Sequence, residues 1–297
     1  MPVLQIDNLT KRYGKIKAVD NLNLTIDPGN VYGLLGPNGS GKTTTLGIIL
    51  DILRQDEGSY QWFDGQHGDH ARLHIGAILE TPNFYPYLNA EENLEIVRQI
   101  KGVKKQDFNE LLEIVNLAHR KKSAFRTYSL GMKQRLAIAA TMIGDPKVLI
   151  FDEPTNGLDP QGIAEVRNIL KRIADMGNTV IMASHILDEV EKICSHVAII
   201  KNGKLLATGP VGAILNDDVT LELNSGDKIA LTHALHEMST VSAISDKEHW
   251  VECLLDEDQM SVEELNRSLF ERGIILTRLV ARKRRLEEEF LAITQNA

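Results

Sequence analysis

Gly36-Pro37-Asn38-Gly39-Ser40-Gly41-Lys42-Thr43, with Thr44 behind it, is the stretch that decides the fold. It fits G-x-x-x-x-G-K-[ST], a loop built to wrap an anion. Val31 to Leu35 before it is short and apolar, as a buried strand would be. Thr44 to Leu53 after it predicts a helix with Leu46, Ile49, Leu50 and Leu53 on one face. Glycines let the backbone close round a phosphate. The loop N–H groups and the helix start behind them turn partial positive charge inward. Lys42 adds a full charge for the outer phosphates, and the Thr43 hydroxyl is a ligand for Mg²⁺.

Working outward, Val3–Leu9 and Ala18–Ile26 read as strands, joined to the loop strand by the turn Asp27-Pro28-Gly29-Asn30. Further strands are expected at Gly58–Phe63 and Ile75–Leu79, separated by a polar, exposed loop carrying His67, His70 and His74. Glu80 closes the second of these strands. Thr81 to Leu88 follows with two prolines and three aromatics, which either pack under a local lid or meet a partner. From Asn89 the pattern is helical: Leu94, Val97 and Ile100 form one face, Leu111 to Leu117 mark a second helix, and Ser129 opens a third. This block, residues 85–144, interrupts a strand-rich frame and is expected to be a subdomain.

Val148 to Glu153 is an apolar strand ending in two acids, which are costly at that place unless used. Ligands of open α/β sheets bind where strands end. Asp152 is placed to hold Mg²⁺ and Glu153 to polarise a water. His185 ends the strand Thr179–Ala183 in the same way. Val197–Ile200 and Lys204–Ala207 predict a hairpin about Asn202-Gly203.

Composition sets the bounds. The chain has 297 residues, 43% hydrophobic and 25% charged, enough for one large or two smaller globular domains. A formal net charge of −8 argues against a protein that coats nucleic acid. Two distant cysteines, Cys194 and Cys253, fit a reducing, cytoplasmic setting without a disulfide framework. The start has no secretory pattern, and no apolar run approaches the ~20 residues of a membrane span.

Together these motifs resemble the ATP-binding subunit of ABC transporters over residues 1–215. The phosphate loop is then Walker A, from Gly36 through Pro37, Asn38, Gly39, Ser40, Gly41, Lys42, Thr43 and Thr44. Val148 to Glu153 is Walker B with the catalytic glutamate, Gly157-Leu158-Asp159-Pro160 the D-loop, His185 the switch histidine and Tyr13 the aromatic that stacks on adenine. Tyr128 to Arg135 stands where the family has Leu-Ser-Gly-Gly-Gln. It keeps Ser129 and Gly131 but carries Leu130 and Met132 at the other positions. Glu80 takes the place of the Q-loop glutamine, which adds charge near Mg²⁺. This variant resembles subunits that export, or give immunity to, bacitracin- and lantibiotic-type peptides.

The resemblance implies a P-loop α/β fold, a mixed sheet with flanking helices and an inserted helical subdomain. It also implies ATP and Mg²⁺ as cofactors and a second ATPase subunit, a homodimer being expected. Walker A of one subunit would face Ser129 and Gly131 of the other. Lys42, Glu153 and His185 would carry hydrolysis, and Thr43, Asp152 and Glu80 would line the metal site. A separate transmembrane permease would hold the chain on the inner membrane face, with the Glu80–Leu88 loop as a contact. Two other readings stay open: a soluble ABC ATPase acting on ribosomes, DNA or cofactor assembly, and a nucleotide-gated membrane sensor.

Residues 216–297 fit no motif. Val219–Leu223, His249–Leu255 and Ile274–Val280 read as strands. Ser261-Val262-Glu263-Glu264 reads as a capping box, and Leu286–Ile293 as a helix, making a small α+β accessory domain. Arg282 to Arg285 followed by Glu287 to Glu289 predicts a solvated helix face with opposite charges four apart.

Overall fold

The computed structural model describes residues 1–79, 83–214, 218–257, 259–283, 290 and 293. The chain forms two compact units, Met1–Pro210 and a second from Val211 onward. In the first, β1 (Leu4–Tyr13) and β2 (Ile16–Ile26) lead into β3 (Val31–Leu35), the phosphate loop and α1 (Lys42–Ile49). Next come β4 (Glu57–Trp62), β5 (Ile75–Ile78), α2 (Ala90–Ile100), α3 (Phe108–Ile114) and α4 (Leu130–Thr141). β6 (Val148–Asp152), α5 (Pro160–Asp175), β7 (Thr179–Ser184), α6 (Leu187–Ile193) and the hairpin β8 (His196–Lys201) and β9 (Lys204–Pro210) complete the unit.

β2-β1-β4 is an antiparallel sheet, and β5-β6-β7-β3-β8-β9 is a second sheet in which only β8–β9 is antiparallel. β3 and β7 are buried along their whole length, and β6 up to Phe151. This is why their sequences are near-continuous apolar runs: parallel strands covered on both faces do not alternate. Register then places the chemistry. Leu35 pairs with Ser184 and Asp152 with Ala183, so β3, β6 and β7 end level with one another. The next residues on each strand are Gly36, Glu153 and His185, and the sheet edge brings them to one place.

Several expected boundaries move. α1 begins at Lys42 and ends at Ile49. Asp51 takes positive φ, and Ile52 and Leu53 donate to Gly47 O, so Leu53 folds back over Gly47 instead of extending the helix. α3 stops at Ile114, although Val115 and Leu117 beyond it are fully buried, because Asn116 turns the chain through positive φ. Ile100, expected on the buried face of α2, is 80% exposed, while the polar Asn93 beside Leu94 is buried. The histidine segment is not an open loop. Gly68–His74 is a 3₁₀ turn with Ala71 buried, and the His67 and His74 rings stack at 4.0 Å with Phe63 edge-on to both.

The second unit opens with α7 (Val211–Ile214). β10 (Asp218–Ser225), α8 (Lys228–His236), β11 (Val241–Asp246), β12 (Val251–Asp256), α9 (Val262–Glu271) and β13 (Leu276–Lys283) follow. The sheet order is β11-β12-β10-β13, every pair antiparallel, the split βαβ arrangement of ferredoxin-like domains. Alternation builds its core: Val219, Leu221 and Leu223 with Val251, Cys253 and Leu255 meet Leu231, Leu235, Leu265 and Leu269 from the helices. On the other face Glu222 is buried beneath Arg278 and Arg282, and Arg278 lies over the Trp250 ring. Arg282 thus belongs to a strand, not to a helix face, and pairs across the sheet with Glu222 and Glu252. Lys283 ends the same strand, and the rest of that charge run, with the helix expected over Leu286–Ile293, falls outside the described residues apart from Phe290 and Ile293.

Candidate nucleotide site

The phosphate loop is held from three sides. A Cβ on Gly36 would meet Ile200 O at 2.2 Å, and one on Gly41 would meet Ala18 O at 2.2 Å. The β8–β9 turn braces the same place: Gly203 N–H donates to Ser40 O, and Asp20 N–H donates to Gly203 O. Only glycine permits this approach, and Gly41 also sits at φ 110°. No side chain caps α1 and no acid occupies its first turn, so its N-terminal N–H groups face the loop uncompensated. The buried Ser40 Oγ has no hydrogen-bond partner among the described residues. A concave loop with a cationic side chain, a helix start and an orphaned hydroxyl suits a polyphosphate.

Lys42 is 5% exposed, and its ammonium donates to Gly36 O at 2.7 Å and Pro37 O at 3.3 Å. It also lies 3.7 Å from a Glu153 carboxylate oxygen. The Thr43 hydroxyl donates to Asp152 Oδ2 at 2.7 Å, which places two hard oxygen donors side by side. That donor set fits Mg²⁺. Glu80, the third expected metal-site residue, lies outside the described residues.

Glu153 occupies the left-handed region, φ 49°, with its N–H donating to Ala183 O at 3.0 Å. A non-glycine residue held there costs ~1–3 kcal/mol, which the surrounding structure must offset. Its Oε2 stands 2.8 Å from His185 Nδ1. A carboxylate can only accept, so Nδ1 carries the proton and Nε2 is left for another partner.

Ser129 caps α4, its Oγ accepting from Met132 N–H at 3.3 Å. Its own hydroxyl proton remains available. Ser129 and Gly131 line a groove of about 440 Å³ with Gly157, Leu158, Asp159 and Gly162. Space is open beside Gly131: a Cβ there would meet nothing nearer than 3.9 Å. Among the described residues no hydrogen bond or ion pair joins this groove to the phosphate loop of the same chain. Tyr13, 49% exposed, ends β1 at the turn of the β1–β2 hairpin, the strand pair that supplies Ala18 to the phosphate loop. Lys11 lies over its ring at 5.6 Å.

The chain is similar to known proteins. The ABC transporter family profile matches residues 19–156. The bacitracin transport ATP-binding protein BcrA of Enterococcus faecalis is 35% identical over 295 residues, covering 97% of this chain and 95% of that one. The chain belongs to the ABC transporter ATP-binding family. Accordingly it is an ATP-binding, ATP-hydrolysing subunit. The lantibiotic transport ATP-binding protein SrtF of Streptococcus pyogenes is 42% identical over 205 residues, 69% of this chain and 89% of that one. Among solved structures, a dimeric ATP-binding cassette in a post-hydrolysis state with ADP and Pi superposes with a TM-score of 0.60 at 25% identity. It covers 70% of this chain and 99% of that one. Members of the family work as dimers with transmembrane permeases, and no helix among the described residues of this chain is long and apolar enough to cross a membrane.

Some residues that shape the site carry no motif. Asn93 organises the aromatic loop: its side chain accepts from Tyr85 N–H at 2.9 Å and donates to Tyr85 O, Leu88 O and Asn89 O. A lone asparagine beside Leu94 on a buried helix face was the only signal. The loop's aromatics divide between the two open readings. Phe84 packs edge-on against Phe125 at 5.3 Å, while Tyr85 and Tyr87 are exposed.

Proposed function

We propose that this subunit dimerises on ATP and powers a permease that exports, or confers immunity to, peptide antibiotics of the bacitracin or lantibiotic type. The observation that carries this reading is similarity to a bacitracin transport subunit along nearly the whole chain, second unit included. Walker A of one protomer faces Ser129 and Gly131 of its partner, so each ATP bridges two surfaces that lie apart in one chain. Hydrolysis removes the γ-phosphate that both faces recognise and releases the pair. Lys42 neutralises the β- and γ-phosphates, Glu153 polarises the attacking water, and His185, oriented by Glu153, donates to the γ-phosphate. Thr43 and Asp152 would hold Mg²⁺, which when bound would supply positive charge to the phosphate oxygens.

The permease reaches the chain at a groove of about 300 Å³ lined by Ile78, Leu79, Phe84, Val97, Lys101 and Ala137. Lys101 closes it by donating to Thr141 O and Ile143 O at the end of α4. The exposed Tyr85 and Tyr87 flank the contact. This partner keeps the chain on the inner face of the membrane.

In the native host, the chain is expected in the membrane fraction bound to its permease, and its deletion is expected to raise sensitivity to bacitracin or a lantibiotic. Sedimentation with ribosomes, or a soluble native protein with unchanged peptide sensitivity, would overturn the transporter reading. A smaller test concerns Tyr13. Tyr13→Ala is expected to weaken ATP by ~1 kcal/mol, about fivefold in Kd, the size of one stacking contact. Equal Kd values for adenine and non-aromatic triphosphate analogues in the native chain would remove that role.

A further inference from the structure

A second bridge lies directly behind the Glu153–His185 pair. Glu189, on the inward face of α6, is 1% exposed. Its Oε2 accepts from the Thr155 hydroxyl, itself buried in the loop that follows Glu153. Its Oε1 is buried and has no hydrogen-bond partner among the described residues. Burial pushes the Glu189 carboxyl up, opposed by the Thr155 hydrogen bond and the charge of Arg167. A carboxyl in such a place is costly for the fold, and hydrophobic packing of α6 does not need one.

Its place in the chain shows what the bridge joins. Thr155 is two residues beyond Glu153, and Asn156 N–H donates back to Glu153 O at 3.1 Å. Glu189 is the third residue of α6, four residues beyond His185. Val190 N–H donates to Ile186 O at 3.3 Å, and Ile186 N–H to Ser184 Oγ at 3.0 Å, so the helix start is fixed to the end of β7. Two ties therefore run in parallel between the same two segments, one exposed and one buried. The buried tie also anchors the D-loop, since Leu158 N–H donates to Thr155 O at 3.2 Å.

We infer that Glu189 is a positioning residue for hydrolysis: through the Thr155 hydroxyl it fixes the separation of the Glu153 carboxylate and the His185 ring and the start of the D-loop. The inference rests on the reading of Glu153 and His185 as the hydrolytic pair. It adds a requirement that none of the motif residues meets, because Glu189 touches neither phosphate nor metal. Without the bridge, the two segments keep the Glu153–His185 tie but lose the buried one behind it, while the phosphate loop stays intact.

Steady-state MgATP turnover and nucleotide Kd of the purified full chain test it. Glu189→Ala and Thr155→Val are each expected to lower kcat by ~10–100-fold, the cost of misplacing reacting groups by about 1 Å. KM and Kd should stay within about twofold, since binding groups are untouched. Glu189→Gln keeps an acceptor for Thr155, and Thr155→Ser keeps the donor, so both should recover most of the lost rate. The double variant Thr155→Val/Glu189→Ala should be no slower than the worse single one, as for two halves of one interaction. Additive losses, an unchanged kcat in Glu189→Ala, or equal losses in Glu189→Ala and Glu189→Gln would each overturn the inference. Should Glu189→Ala fail to fold, the Thr155 pair decides by the same readout. Glu153→Gln runs as the control: turnover at the native rate there would sink the hydrolytic pair itself, separately from any result at Glu189.

Discussion

Glu153→Gln is expected to bind MgATP and to hydrolyse it ~10²–10⁴-fold more slowly, the usual worth of a positioned general base. The substitution is nearly isosteric. The backbone at φ 49° is held by the N–H donated to Ala183 O, and neither depends on the carboxylate. An amide can still accept from His185 Nδ1, so the ring keeps its place. What is lost is the capacity to draw a proton from water. Binding should hold or strengthen, because one negative charge 3.7 Å from the Lys42 ammonium is removed from beside the γ-phosphate. A site that binds but does not cleave should accumulate the ATP-bridged pair. Phosphate release with size-exclusion chromatography, with and without MgATP, checks both halves. Turnover within about twofold of the native chain would take Glu153 out of the chemistry. Slow turnover with no nucleotide-dependent dimer would leave the base in place and refute the two-protomer site.

Much of this site could be read from the sequence because three strands announce their own ends. Val31–Leu35, Val148–Phe151 and Thr179–Ala183 are apolar runs that must be covered on both faces, and each stops at a residue of another kind. Unbroken apolar runs located the strands, and the parallel register brought Gly36, Glu153 and His185 together. What sequence reading missed are contacts between segments distant in the chain. Nothing at Gly203 or Ala18 shows that their backbones meet the phosphate loop. Asn93 and Glu189 look like ordinary polar residues on amphipathic helices until their burial is known. Helix ends were read less well than helix centres. At Asp51 and Asn116 a positive φ ends the element inside an apolar pattern. In the second unit, α8 and β11 went unseen. Asp227 caps α8, but its helix is short, and Val241–Asp246 alternates too weakly to stand out as an edge strand.

Lys42→Ala is expected to abolish nucleotide-dependent stabilisation while leaving a folded chain. The ammonium is nearly buried, and two of its three N–H groups serve the loop carbonyls of Gly36 and Pro37. One cation thus shapes the loop and presents charge to the phosphates. Its removal loses charge-assisted hydrogen bonds worth ~1.5–3 kcal/mol each, about 10–100-fold in Kd for a single contact. The loop loses a brace as well, but Gly36 and Gly41 remain fixed against Ile200 and Ala18 by backbone packing. The melting temperature without nucleotide should therefore fall only slightly. The decisive measurement is the shift that nucleotide adds. A ligand at 100 times its Kd stabilises by ~2.7 kcal/mol, and at its Kd by only RT ln 2, about 0.4 kcal/mol. A wild-type-sized thermal shift in Lys42→Ala at the same MgATP concentration would mean that phosphate is held elsewhere, and the phosphate-loop assignment would fall. Loss of the shift together with collapse of the apo melting temperature would assign Lys42 to folding instead. Loss of the shift alone would isolate the charge as the binding element, since the helix start and loop N–H groups are unchanged in the variant.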